Sequence, residues 1–190
     1  MAITAAQVKE LRELTGAGMM DCKKALAATD GDMDAAVDFL REKGLAGAQK
    51  KAGRIAAEGI VDVCVSDDAK KAVVLEVNAE TDFVAKNEKF RTYVGEVAAQ
   101  ALKTSANTTE EFLNEKWELD PSLTVAEKLS SMISIIGENM TIRRFAKVEE
   151  NDGCVVSYIH AGGKIGVLVD VVSDVVNDDI KEMAKNVAMQ

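Results

Sequence analysis

Apolar residues fall at helical spacing along the first third of the chain and at alternating or continuous strand-like spacing in two later stretches. The opening predicts a helix, because Thr4 and Gln7 form an S/T-x-x-E/Q capping box while Ile3 and Val8 occupy the two positions of a hydrophobic staple. Val8, Leu11 and Leu14 give that helix an apolar face, and Gly16 supplies the conformational freedom that ends it. After the loop Gly16-Ala17-Gly18, a second helix carries Cys22, Ala25 and Leu26 on one side. Asp30-Gly31 then makes a turn and Asp32 caps a third helix, with Met33, Ala36, Val37 and Leu40 at i, i+3, i+4, i+7 before Gly44. Three helices within about 45 residues bury little apolar area, so the bundle reads as a docking module. A lysine-rich helical connector, Ala46 to Arg54, leads out of it.

Beyond residue 55 the chain repeats itself. One copy runs Glu58-Gly59-Ile60-Val61, passes a polar turn to Lys71-Ala72-Val73-Val74-Leu75-Glu76-Val77, and continues into a helix ending Ala98-Ala99-Gln100. The other runs Asp152-Gly153-Cys154-Val155, turns at Ala161-Gly162-Gly163, and resumes as Lys164-Ile165-Gly166-Val167-Leu168-Val169-Asp170 before a helix ending Ala188-Met189-Gln190. Each copy predicts a β-hairpin followed by a helix, since β-branched runs flank a turn and give way to a 3.6-residue period such as Ile180, Met183, Ala184 and Val187. Between the copies, Thr124 and Glu127 form another capping box, Leu129, Met132, Ile133 and Ile136 form a stripe, and Gly137 ends that helix. Met140 to Lys147 reads as a strand. The fold class is α+β: residues 1–54 form a three-helix docking domain with its connector, 55–148 a first core subdomain, and 149–190 the start of a second. The copies differ after the second strand, where the first inserts Asn78 to Asn87 and the second is shorter by about three residues, a junction of the kind that carries binding sites.

Charge narrows the class of function. The net charge of −9 argues against a general nucleic-acid binder, which needs a basic surface to displace counterions. The imbalance lies beyond the connector: residues 1–54 hold nine Lys/Arg and eight Asp/Glu, leaving fourteen basic against twenty-four acidic residues. Cys22, Cys64 and Cys154 are odd in number and far apart, making neither a CxxC pattern nor a complete disulfide set, and a reducing cytosol suits them. No signal-peptide run opens the chain and no stretch approaches the roughly 20 apolar residues of a membrane span. The expectation is a cytoplasmic protein with a protein partner, and no cofactor or metal.

Several residues admit two readings. Thr81 or Asp82 could cap a helix while Phe83 fills the local core; alternatively, Phe83 beside Asp82 at an exposed turn, followed by Val84, makes an apolar wedge with a charged tip suited to a partner's pocket. Met19 and Met20 could close the small core or form an adaptable apolar contact. Lys9, Arg12, Lys23 and Lys24 make a solvated face that could also steer an acidic partner. His160, the single histidine, reads as a turn residue or a partly buried hydrogen-bonding group, and it has no second ligand nearby for zinc and no nucleophile-base arrangement around it. Gly16-Ala17-Gly18 and Ala161-Gly162-Gly163-Lys164 lack the spacing of a phosphate loop.

Leu14 to Leu26, with Thr15-Gly16-Ala17-Gly18-Met19-Met20-Asp21-Cys22-Lys23-Lys24 between them, resembles the N-terminal signature of the elongation factor Ts family. Glu76-Val77-Asn78, Thr81-Asp82-Phe83-Val84-Ala85, Ile136-Gly137-Glu138-Asn139 and Arg143-Arg144 resemble its core. The resemblance implies a ubiquitin-associated-like three-helix domain and two related subdomains, each an antiparallel sheet with helices. It also implies a partner, elongation factor Tu in its GDP-bound and nucleotide-free states, and a role as a guanine-nucleotide exchange factor rather than an enzyme. On that resemblance Asp82 and Phe83 would enter the partner's nucleotide domain and disturb its magnesium site. Met19, Met20 and Lys23 would dock the N-terminal helices, and Ile136, Gly137 and His160 would add contacts nearer the phosphates. Longer members of the family continue past the position of Gln190, so the second subdomain is expected to be incomplete and the chain could act as a binding module without exchange activity. A helper module recognising ubiquitin-like or ribosomal surfaces explains the domains but not the insert; an enzyme using Cys22 or His160 would show thiol-sensitive turnover and ranks last.

Overall fold

A computed structural model describes residues 3–190. In chain order the helices and strands are α1 (Ala5–Thr15), α2 (Met19–Ala28), α3 (Met33–Lys51), β1 (Glu58–Val65), β2 (Lys71–Ala79), α4 (Asp82–Ala85), α5 (Glu88–Lys103) and α6 (Thr109–Asn114). There follow β3 (Lys116–Trp117), β4 (Asp120–Thr124), α7 (Val125–Ile136), β5 (Met140–Glu149), β6 (Gly153–His160), β7 (Ile165–Val172) and α8 (Asp178–Ala188). The fold is α+β, and it divides into two compact units. One gathers the residues up to Arg54 with Ala126–Asn139, the other Ile55–Val125 with Met140–Gln190.

Local chemistry sets the boundaries of the first unit. Thr4 accepts a hydrogen bond from the Gln7 amide while the Gln7 side chain returns to the Thr4 backbone, completing the capping box. Gly16 ends α1 in the left-handed region at φ 68°. Asp32 caps α3 by accepting from the Ala35 amide at 2.9 Å. Val8, Leu11, Cys22, Ala25, Leu26 and Ala36 form the core, with Ile3, Met33, Val37 and Leu40 packed against it. Two expectations change. Leu14 is 66% exposed and does not share the buried face of Val8 and Leu11. The third helix does not stop near Gly44 but runs unbroken to Lys51, absorbing the connector as far as that residue. Gly44 lies where α7 crosses α3, 3.8 Å separating the position its Cβ would take from the Ser131 Cα; the small residue fits the crossing rather than ending the helix. Asn139, just beyond α7, donates to the Arg54 carbonyl at 2.8 Å and fastens the two ends of this unit.

The second unit is built from the repeat. β1, β2 and β5 form an antiparallel sheet with β2 central, and β6 and β7 form a hairpin of their own. Gly59 and Gly153 occupy matching places at the starts of the two hairpins. A Cβ on Gly59 would lie 2.1 Å from the Val77 carbonyl oxygen, and one on Gly153 would lie 1.7 Å from that of Val171. Each hairpin thus has its strands pressed together at the same point, where only glycine fits. The hairpins also clasp each other. The Val61 amide donates to the Gly163 carbonyl in the second turn, and the Val155 amide to the Ala69 carbonyl in the first, both at 2.7 Å. Lys70 adds bonds from its ammonium to the Asn151 and Gly153 carbonyls at 3.0 and 2.7 Å. α5 covers the sheet with Phe90, Tyr93, Val94, Val97, Ala98 and Ala101 buried. α8 is less enclosed: Ala184 is buried, whereas Met183 and Val187 from the same stripe are exposed.

Candidate functional site

The insert after β2 is a single helical turn, α4, standing between β2 and α5. Its base is fixed by charge pairing across the sheet. Glu76 on β2 meets Arg144 on β5 at 2.8 Å and Arg143 at 3.8 Å, and it accepts from the Asn78 amide at 3.0 Å. Burial pulls the Glu76 carboxyl upward, but the bonds from Asn78 and Arg144 and the two arginine charges outweigh it and hold the group below its ordinary value. Asn78 also donates to the Glu58 carbonyl at 3.1 Å. The chain therefore leaves β2 in a set direction.

Thr81 is the N-cap of α4, with an extended backbone and no side-chain capping bond. Val84 and Ala85 turn inward and are buried. Asp82 and Phe83 face solvent, and Phe83 is 82% exposed. Of the two readings the sequence allowed, Phe83 as local core filler is the one the geometry excludes. Lys86, one turn on, bonds Asp82 at 2.7 Å, and this bond with the ammonium charge, aided by the charge of Lys164, holds the Asp82 carboxyl below the usual carboxylate range. The tip is an aromatic ring beside a carboxylate that stays ionised at neutral pH.

His160 ends β6 exposed, its Nδ1 3.0 Å from the Tyr158 hydroxyl. Arg91, in the first turn of α5, connects it to α4: Nε donates to the Ala85 carbonyl at 3.0 Å and Nη2 to the Gly162 carbonyl at 2.9 Å. Lys164 reaches Glu58 at 2.7 Å and pins the same turn to β1. Asp82, Phe83 and His160, 78 residues apart at the widest, sit on segments joined by one side chain. Neither Arg91 nor Lys164 stood out as a site residue in the sequence; only the Asp82-to-Lys86 spacing of i, i+4 was a local signal.

The remaining candidates belong to the first unit. Met19 and Met20 open α2 and are 60% and 62% exposed, so they do not close the bundle core. Lys23 is exposed one turn further on, and Lys9 is exposed on α1 with Glu13 at 3.7 Å. Ile136 is half-buried at the end of α7, and Gly137 follows with φ 89°, donating to the Ile133 carbonyl at 2.9 Å. The Ile135 side chain lies 3.4 Å from where a Gly16 Cβ would be, so the end of α7 abuts the loop that leads to Met19. Leu14, exposed just before that loop, is an apolar residue that the sequence pattern assigned to the core.

Comparison with known proteins decides the lineage. The family profile described as Elongation factor TS matches residues 80–190, a stretch that contains α4, the end of α7 and His160. The chain belongs to the elongation factor Ts family. It is 55% identical over 188 residues to an elongation factor Ts of Clostridium botulinum (strain Alaska E43 / Type E3), covering 99% of this chain and 61% of that protein. It is 52% identical over 189 residues to one of Halothermothrix orenii, covering 100% of this chain and 62% of the relative. The chain thus spans about three-fifths of the length of the curated elongation factor Ts proteins it matches. Among the described residues no helix is long and apolar enough to cross a membrane.

Proposed function

We propose that the chain acts in translation elongation as a guanine-nucleotide exchange factor, binding elongation factor Tu in its GDP-bound and nucleotide-free states and promoting release of GDP. The observation that carries this reading is the exposed Phe83 beside an ionised Asp82, on a turn whose neighbours Val84 and Ala85 are buried. An aromatic left in water at the edge of a fixed scaffold gains by entering an apolar pocket, and a carboxylate brought with it repels the anionic ligands of a nearby metal ion. In a GTP-binding protein the nucleotide phosphates are held by a phosphate loop and magnesium, so loosening the ion loosens GDP. Met19, Met20 and Lys23 give a second, adaptable contact, with Lys9, Ile136, Gly137 and His160 adding to the two surfaces. No covalent chemistry by this chain is needed, and it works without cofactor, nucleic acid or membrane, in the cytoplasm.

Factor and nucleotide weaken each other reciprocally. Lowering GDP affinity a thousandfold requires about 4 kcal/mol of coupling, which a few desolvated contacts supply. The test is stopped-flow release of a fluorescent GDP analogue from elongation factor Tu at fixed magnesium, with and without the chain. Acceleration that is lost in the Asp82→Ala/Phe83→Ala double variant supports exchange through α4. Binding without acceleration reduces the chain to a binding module, and absence of binding removes the proposal.

A further inference from the structure

The wedge and the histidine turn come from different copies of the repeat, and nothing in the secondary structure alone obliges them to keep a fixed spacing. α4 is one turn long, its amide bonds running from Ala85 to Thr81, from Lys86 to Phe83 and Val84, and from Asn87 to Val84. So short a helix has no stability of its own. The second turn contains Ala161, Gly162 and Gly163, all at positive φ. Arg91 joins them with both ends of one guanidinium, taking the Ala85 carbonyl on Nε and the Gly162 carbonyl on Nη2. Its planar fork fixes the direction of both bonds at once, which a single ammonium does not. The backbone of Arg91 is itself held in α5 through its amide bond to the Asn87 carbonyl at 3.0 Å.

We propose that Arg91 is a positioning residue: it clamps the Asp82–Phe83 turn to the His160 turn so that both meet the partner as one rigid surface. The proposal rests on the exchange reading above for its functional half, while the clamp itself is a property of this chain alone. Preorganisation of this kind lowers the ordering cost of binding without adding a contact.

The experiment uses the full chain with Arg91→Ala, Phe83→Ala and the double variant, read in two ways. Amide hydrogen exchange should quicken about fivefold to tenfold at Ala85, Lys86, Asn87, Gly163 and Lys164 in Arg91→Ala, with the α5 amides unchanged. In GDP release, Arg91→Ala should lower the rate at limiting factor by a similar fold, and in the Phe83→Ala background it should do little more, because there is no ring left to aim. Unchanged protection in both turns, or loss of protection spread through the whole unit, overturns the clamp. Fully additive effects of Arg91→Ala and Phe83→Ala on release overturn its positioning role. Quickened turns with no acceleration by the unsubstituted chain leave the clamp standing and remove the exchange reading instead.

Discussion

Phe83 and Phe90 are seven residues apart and opposite in burial, 82% against 0% exposed, so the same substitution at each should separate binding from stability. Phe83→Ala removes a ring that contributes little to the folded chain, and stability should stay within about 0.5 kcal/mol, the range of ordinary surface changes. Phe90→Ala empties a site in the core between α5 and the sheet and should cost about 3–5 kcal/mol. The consequences for a partner run the other way. Burying a phenylalanine fully is worth about 1.5–3 kcal/mol, and with four-fifths of the ring still to be buried the loss at Phe83 is about 1.2–2.4 kcal/mol, or roughly 7- to 50-fold. The assays are urea denaturation followed by circular dichroism, and GDP-analogue release titrated with factor to give a rate per unit of factor. A Phe83→Ala variant that unfolds more than about 2 kcal/mol more easily would mean that the ring packs within the chain. One that releases GDP as the unsubstituted chain does would mean that the ring does not enter the partner.

Gly44→Ala should stabilise the first unit by about 0.5–1 kcal/mol, since glycine is costly inside a helix and the added methyl would meet Ser131, Ser130 and Ser134 at ordinary contact distances of 3.8–3.9 Å; a fall in melting temperature would show that the crossing has no room. Gly153→Ala should destabilise by more than about 2 kcal/mol, because its methyl would meet the Val171 carbonyl at 1.7 Å, and Gly59→Ala should do the same; a variant that melts like the unsubstituted chain would contradict the close strand approach. Asp62 is half-buried on β1, and burial raises its carboxyl pKa against the opposing Val63 amide bond and Arg91 charge. A raised folded pKa means that the native state binds more protons than the unfolded chain, so this group's contribution falls as pH rises from about 3.8 through the folded value. Asp62→Asn should therefore unfold at higher urea than the unsubstituted chain at pH 7, with the difference shrinking towards pH 4; an Asn variant less stable at pH 7 would refute the sign.

Features governed by neighbours within a turn or two were legible in the residues alone. The Thr4–Gln7 capping box, the Asp32 cap and the Gly16 and Gly137 stops depend on side chains three or four residues apart or on a backbone angle that glycine permits, and the two hairpins on β-branched runs flanking a turn. The motif at Thr81 to Val84 was visible too, as an insert within the first copy of the repeat that the second copy has in shorter form. Which way its side chains turn was not, because periodicity cannot distinguish a ring that packs from one that protrudes when the helix is a single turn long. The same limit explains Leu14, Met183 and Val187: each sits at a helical apolar position, yet exposure depends on whether a distant segment arrives to cover it. Gly44 carries the converse lesson, since a glycine that reads as a stop is tolerated mid-helix where α7 passes close. Arg91 is the plainest case of what tertiary structure decided. Its two acceptors lie 6 and 71 residues away, and only the mutual clasp of the hairpins brings the second within reach of the guanidinium that also holds the first.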